Sequence, residues 1–372
     1  MDFLVEILNL VQASITGDRK RGVAYAQQLA EKADQHGDGK AAERIRKMLS
    51  AKVRPVTANG MAAVQELLPV DSESRLSLAD ESFILPEEVE VFLEPSLEES
   101  VNEFVRYVGA ADQLIAEGVG VSPSLLMYGP PGCGKTELAR LIASKLKLPL
   151  LTARADSLIS SYLGSTAKNL RFLFEHAAAR PCVLFLDEFD AVAKLRDDQQ
   201  ELGELKRVVV SLLQNIDAVQ GETVLLAASN HEHLLDPAIW RRFAYKVKID
   251  LPREAVRVKM FKKFLGGTFN QRFLERCSGA AEGLSGSDIR QVCESARRAA
   301  VVEKREVSEV DVLRRMLLRR FGSDSPSIGQ LIIRAKEALP DVYTHRILAA
   351  AFGMTAGNVT HILNRHRREE HP

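Results

Sequence analysis

The apolar positions of this chain change their period along its length, and the changes divide it. From Phe3 to about Ile15 they fall at Phe3, Leu4, Ile7, Leu8, Leu10 and Val11, one stripe of a helix. Thr16-Gly17-Asp18 ends that stripe. A second helix is predicted from Arg19 to Gln35, and His36-Gly37-Asp38-Gly39 breaks it before a third over 40–51. Three short helices predict a small bundle over 1–52, which either docks a partner or substrate or serves as a packing appendage. Residues 53–60, with Pro55 and few large apolar groups, read as a linker.

Further on, uninterrupted apolar runs take over. Ser124–Tyr128, Pro149–Thr152, Pro181–Leu186 and Thr223–Ser229 are short and apolar throughout, as strands buried on both faces are. Amphipathic helices are predicted between them at Ser165–Ala179 and Leu202–Ile216, and Tyr245–Leu251 reads as a closing strand. This alternation predicts a parallel sheet with crossover helices. Beyond Pro252 the pattern is helical only. The expected divisions are therefore 1–52, a linker and acidic segment over 53–107, a large α/β domain over 108–252, a small all-α domain over 253–321, and a helical segment over 322–372.

Composition narrows the function classes. The chain has 372 residues, 46% hydrophobic and 27% charged, which excludes gross disorder. Fifty basic residues balance fifty acidic ones, so any polyanionic partner would need a local patch. The charge is unevenly spread. From Glu66 to Glu103 there are twelve acids and one base, Arg75, which reads as a solvated face or a surface for a basic partner. Within that stretch Ser82–Pro86 is expected to form an edge strand, and a helix is expected from Leu97 to about Tyr107. Cys133, Cys182, Cys277 and Cys293 are too far apart for a metal-ligand pair and predict a reduced, intracellular protein. The opening residues carry acids in place of a basic leader, and no apolar run approaches bilayer length, so the expectation is a cytoplasmic protein.

The densest chemistry follows the first buried strand. Gly129-Pro130-Pro131-Gly132-Cys133-Gly134-Lys135-Thr136 fits the G-x-x-x-x-G-K-[ST] phosphate loop at every fixed position, and Glu137 continues into a good helix former. Glycines let backbone N–H groups approach phosphate oxygens, and the helix start adds its dipole. Lys135 is the charge for β- and γ-phosphates, and Thr136 supplies a hydroxyl for Mg²⁺. Asp187 and Glu188 stand at the carboxyl end of a buried strand, where ligands of open α/β sheets collect. Asp187 is the expected second Mg²⁺ ligand, directly or through water, and Glu188 is the group expected to polarise an attacking water.

The order of motifs resembles the AAA group of AAA+ ATPases over about Leu125 to Ala299, with katanin-like, FtsH-like and proteasomal modules the most similar. The phosphate loop is followed by Ser161-Tyr162-Leu163-Gly164, Asp187-Glu188-Phe189-Asp190-Ala191, Ala227-Ala228-Ser229-Asn230, Leu235 through Phe243, and Gly283 through Ile289. The resemblance implies a P-loop NTPase fold, a three-layer αβα parallel sheet with a small all-α lid, flanked here by small helical segments. It implies ATP and Mg²⁺ as cofactors. It makes Asn230 the sensor of the γ-phosphate or the water, and Arg241 and Arg242 the arginine fingers that act on the neighbouring subunit's nucleotide. Tyr162, Leu163 and Gly164 would be the substrate pore loop, and Gly286 and Ser287 the lid pair beside the nucleotide. The usual opening motif that grips the base is not found; the acidic stretch up to Tyr107 takes its position.

After Gly322–Ser327, a plausible linker, His345–Phe352 and Ala356–His366 read as two helices around Gly353-Met354-Thr355. Leu348, Ala349, Phe352, Met354, Val359 and Ile362 are spaced to pack between them, in a pattern like a helix-turn-helix. Arg365, Arg367 and Arg368 are candidates for phosphate contacts. DNA contact, protein docking and a structural tail all fit this segment. The leading expectation for the whole chain is a homo-oligomer, expected to be a hexamer, that threads a protein substrate with ATP and hands it to a separate protease or other effector. The alternative is a nucleic-acid-directed AAA+ ATPase that finds DNA with its C-terminal helices. A third reading is a nucleotide-gated assembly switch.

Overall fold

The computed structural model describes residues 26, 28–34, 42, 77–154, 158, 163–193, 204–219, 223–266, 269–322 and 326–370, with the side chains of 154, 163–165, 204–207 and 369–370 outside that set. The chain divides into two units, Met1–Leu68 and Pro69–Pro372. In the first, residues 28–34 are helical, with Ala30 and Ala33 buried. The expected first helix lies outside the described residues, as does the third apart from the buried, helical Ala42.

The second unit is built on a six-stranded sheet: β1 Asp80–Ser82, β2 Ser124–Tyr128, β3 Leu150–Arg154, β4 Cys182–Asp187, β5 Thr223–Ser229 and β6 Tyr245–Lys248, in spatial order β1-β3-β4-β5-β2-β6. All pairings are parallel except β1 with β3, where Asp80 faces Thr152 and Ser82 faces Leu150. Every residue of β5 is buried, and β4 is buried up to Leu186, which is why these segments carry no polar alternation. The edge strand comes earlier than Ser82–Pro86 suggested. Pro86 cannot donate to a ladder, and the chain leaves the sheet into a short 3-10 turn at Pro86–Glu88. Tyr245–Leu251 likewise contributes only its first four residues, since Leu251-Pro252 leads out.

Helices α1 Pro95–Gly109 and α3 Lys135–Leu146 pack with each other, and α4 Leu163–Ala178 packs with α5 Glu204–Ala218; the short α2 is Ala111–Ala116. Leu125 and Met127 join a core with Phe104, Leu138, Ile142, Phe185 and Leu226. The intervening Leu126 is equally buried but outside that cluster, as the two-residue period of a strand requires.

The short α6 Pro237–Trp240 precedes β6, and after β6 come α7 Glu254–Leu265, α8 Gln271–Ala280, α9 Gly286–Val302, α10 Glu309–Phe321, α11 Ile328–Ala338, α12 His345–Phe352 and α13 Ala356–Glu370. Helix α11 was not anticipated. Its Ser327 cap and Gln330 form a reciprocal capping box directly after Pro326, inside what reads as a linker. Helices α7–α13 share one hydrophobic core, from Phe261, Cys277 and Ile289 through Leu313 and Met316 to Ile332, Tyr343, Leu348 and Val359. The buried Tyr343 hydroxyl donates to the Leu313 carbonyl oxygen at 3.3 Å, tying the last three helices to α10. Leu348→Ala is expected to cost about 2–5 kcal/mol. Denaturant unfolding monitored by hydrogen exchange should then lose protection in α10 and α13 together, and protection retained in α10 would separate the two parts.

No helix among the described residues is long and apolar enough to cross a membrane.

Candidate nucleotide site

The phosphate loop leaves β2 with three left-handed glycines, Gly129 (φ +142°), Gly132 (φ +74°) and Gly134 (φ +97°). A Cβ on Gly129 would lie 2.1 Å from the Ile249 carbonyl oxygen, and one on Gly132 would lie 2.7 Å from Ser285 Oγ. The loop is thus wedged between the chain after β6 and the start of α9. Gly134 caps α3 without any side-chain hydrogen bond, so the first N–H groups of that helix remain available to an anion. The Ser287 N–H donates to the Gly132 carbonyl oxygen at 3.0 Å, a direct bond from the small helical region to the loop.

Lys135 is buried, and its Nζ donates to the Gly129 and Pro130 carbonyl oxygens at 2.7 and 2.8 Å. Burial holds its ammonium below the usual lysine range, opposed by Cys133, Asp187, Asp190 and Glu232. Thr136 Oγ1 donates to Asp187 Oδ2 at 2.9 Å. The other Asp187 oxygen accepts from the Glu188 N–H at 2.9 Å. Glu188 itself has φ +52°, a left-handed conformation that costs a residue with a Cβ about 1–2 kcal/mol. The following Phe189 is fully buried against Phe243 at 5.8 Å, which anchors the turn and keeps Glu188 in the cavity wall.

Asp190 went unrecognised as a working residue in the sequence, and it is buried. Its Oδ1 accepts from the Asn230 N–H at 3.1 Å, fixing the end of β5 against the end of β4. The Asp236 N–H donates to Ala193 O, and Asp236 Oδ1 caps α6 through the Ala238 N–H at 2.8 Å. One turn after β4 therefore positions both Asn230 and the arginine-bearing segment. Arg241 and Arg242 are exposed and do not line the cavity, and Arg242 Nε pairs with Asp217 at 2.7 Å.

The cavity measures about 380 Å³ and is lined by Pro131 to Glu137, Asp187, Glu188, Asn230, Gly286 and Ser287. Gly129 and Pro130 form the loop's entry without lining it. Six further wall residues had no signal in the sequence: Glu90, Val91, Phe92, Met260, Phe264 and Arg290. Phe92 lies in the acidic stretch expected to be solvated, yet its ring meets Phe264 edge-on at 5.5 Å, and the Arg290 guanidinium lies 5.5 Å from the Phe264 centroid. That stretch also buries Leu78, Ala79 and Ile84. Tyr162 lies outside the described residues; Leu163 and Gly164 begin α4, and their side chains lie outside the described set.

Residues 125–251 match the AAA family, described as ATPase family associated with various cellular activities. They are an AAA-family ATPase domain. The chain is 46% identical over 213 residues to an AAA family ATPase of Sinorhizobium fredii, y4kL, named as uncharacterized, covering 57% of this chain and 63% of that relative. It is 31% identical over 283 residues to the proteasome-activating nucleotidase of Methanopyrus kandleri, covering 72% of this chain and 64% of that protein. The chain thus spans less than two thirds of these relatives. The solved FIGL-1 AAA domain has the same fold, with TM-score 0.55 and 24% identity over 71% of this chain and 91% of that one.

The four thiols of this chain are unequal. Cys182, Cys277 and Cys293 are buried, and burial pushes Cys182 up to about 11 and Cys293 up to about 12. Cys133 is half-buried in the cavity wall, its thiol also raised by burial. N-ethylmaleimide at about pH 8 is therefore expected to modify Cys133 slowly and ahead of the other three, since only thiolate reacts. Peptide mapping should find that ATP slows this further, and labelling indifferent to nucleotide would argue against binding in the cavity.

Proposed function

We propose that this protein is an ATP-driven remodelling ATPase that completes its active sites between copies of itself and threads a polypeptide substrate. The observation that carries the reading is the division of the chemistry. Thr136, Asp187, Glu188 and Asn230 converge on one cavity, while Arg241 and Arg242 are exposed just after α6 and line none of it. A guanidinium with no role in its own cavity is suited to the nucleotide of a neighbour.

The donor set fits a magnesium ion. Thr136 Oγ1 and Asp187 are hard oxygen donors held together, too few for an all-protein cage, and Mg²⁺ retains waters and substrate phosphates. When bound, the ion offsets charge on the phosphate oxygens. The α3 N–H groups and Lys135 hold the β- and γ-phosphates, with Lys135 exchanging its two carbonyl partners for phosphate oxygens. Glu188 accepts the proton of the attacking water, and Asn230 orients that water or the γ-phosphate. Phe92, Phe264 and Met260 offer an apolar wall for the base, which accounts for the missing opening motif.

Polypeptide as substrate is supported by the resemblance of Tyr162-Leu163-Gly164 to a pore loop and by a relative named as a proteasome-activating nucleotidase. Delivery to a separate protease belongs to the same proposal, as does a hexameric ring. The test is mass photometry of Glu188→Gln with ATP and Mg²⁺, with and without an unstructured polypeptide. A six-fold species that captures the polypeptide, and a Tyr162→Ala protein that hydrolyses ATP without unfolding a tagged substrate, are the expected results. A protein that stays monomeric with ATP and polypeptide would sink the reading.

A further inference from the structure

We infer that α11–α13 form a duplex-DNA-binding unit, with α13 as the element that enters the major groove. This goes beyond the proposed ATPase function and does not depend on it. The inference starts from packing. Helix α12 ends at Gly353, whose φ is +65°, and the Met354 N–H turns back to the Ala349 carbonyl oxygen at 2.9 Å. Thr355 then starts α13, its hydroxyl accepting from the Asn358 N–H at 3.2 Å. Leu348, Ala349 and Val359 are buried, with Phe352, Met354 and Ile362 packed against them. The small residue four before the glycine and the apolar residues six and nine after it fit the spacing of a tight helix-turn-helix, and the two helices pack on each other. Helix α11 packs on α13 as the third member, its Gly329 facing Ile362.

Burial of one face of α13 leaves the other to solvent. Asn358, His361, Asn364, Arg367 and Arg368 are exposed. Asn358 and His361 follow exposed Ala356 and Gly357, whose small side chains let the helix start approach closely. Amide and imidazole groups at the start of such a helix suit base edges, and guanidinium groups further along suit phosphates. Charge supports the same partner. From Val342 to Arg368 there is no carboxylate, while Arg346, Arg365, Arg367 and Arg368 are present, in a chain whose net charge is zero. Helix α13 closes with Glu369-Glu370 beyond its arginines, but up to Arg368 it carries none of the carboxylates that would repel DNA.

The experiment uses the full chain. Binding sites are selected from a random-sequence duplex library, and fluorescence anisotropy then compares a selected duplex with a scrambled one across a salt series. Wild type is expected to bind the selected duplex more tightly. Arg367→Gln/Arg368→Gln should weaken binding to both duplexes and lower the salt slope by about 2. Asn358→Ala/His361→Ala should keep the salt slope and lose about 10-fold in preference for the selected duplex. All four positions are exposed, so circular dichroism and ATPase rate should match wild type. Two results would overturn the inference: no binding to any duplex at low salt, or binding that both double variants retain unchanged, which would move DNA contact to another surface.

Discussion

Glu188→Gln is expected to lower the ATPase rate by about 10²–10⁴-fold while leaving ATP affinity nearly unchanged. The side chain is isosteric, so the left-handed turn at Glu188, the Asp187 contact to its N–H and the buried Phe189 anchor all persist. What is lost is the carboxylate proposed to take the proton. The proposed phosphate contacts lie elsewhere, on α3 and Lys135, so binding should be separable from hydrolysis. The measurement is a paired one, steady-state phosphate release against fluorescent-nucleotide affinity. A parallel loss of both would mean that Glu188 holds the turn rather than doing chemistry, and hydrolysis at the wild-type rate would remove it from the mechanism.

Arg241→Ala is expected to cost about 10³–10⁵-fold in the same assay, with nucleotide binding retained. Arg242→Ala should cost less, because its guanidinium is already engaged by Asp217. The decisive form of the experiment mixes two inactive proteins. An Arg241→Ala subunit retains Glu188, and a Glu188→Gln subunit retains Arg241, so a mixed assembly contains some interfaces with both groups intact. Activity should therefore return on mixing and vanish on dilution. If mixing restores nothing, the fingers do not act across a subunit boundary, and the proposal of interface sites fails.

The candidate nucleotide site was legible where its chemistry is contiguous. Gly129 to Thr136 is a single turn of backbone whose glycines answer a local demand, and Asp187-Glu188 ends an apolar run that can only be a central strand. The residues missed are those whose role depends on a distant partner. Asp190 matters because Asn230 begins a different loop, and Phe92 because Phe264 is brought beside it. Nothing in the local pattern of an acidic stretch distinguishes a solvated phenylalanine from one in a cavity wall. Helix α11 escaped notice for another reason: Gly322 and Pro326 punctuate the chain so strongly that the capping Ser327 is masked.

By itself the amino-acid sequence determined the alternation of buried strands with helices in the α/β region, the phosphate loop, the strand-end acids and the helix–glycine–helix pattern near the C-terminus, because each is set by local periodicity and backbone freedom. Tertiary structure alone decided the spatial order of the strands and the assembly of the cavity wall from Phe92, Phe264 and Arg290. It also decided that Arg241 and Arg242 are exposed and outside the cavity lining, and it merged α7–α13 into one core. The physical reason is that burial is a property of pairs of surfaces. An apolar stripe states that something must cover it, and only the folded chain settles which segment does.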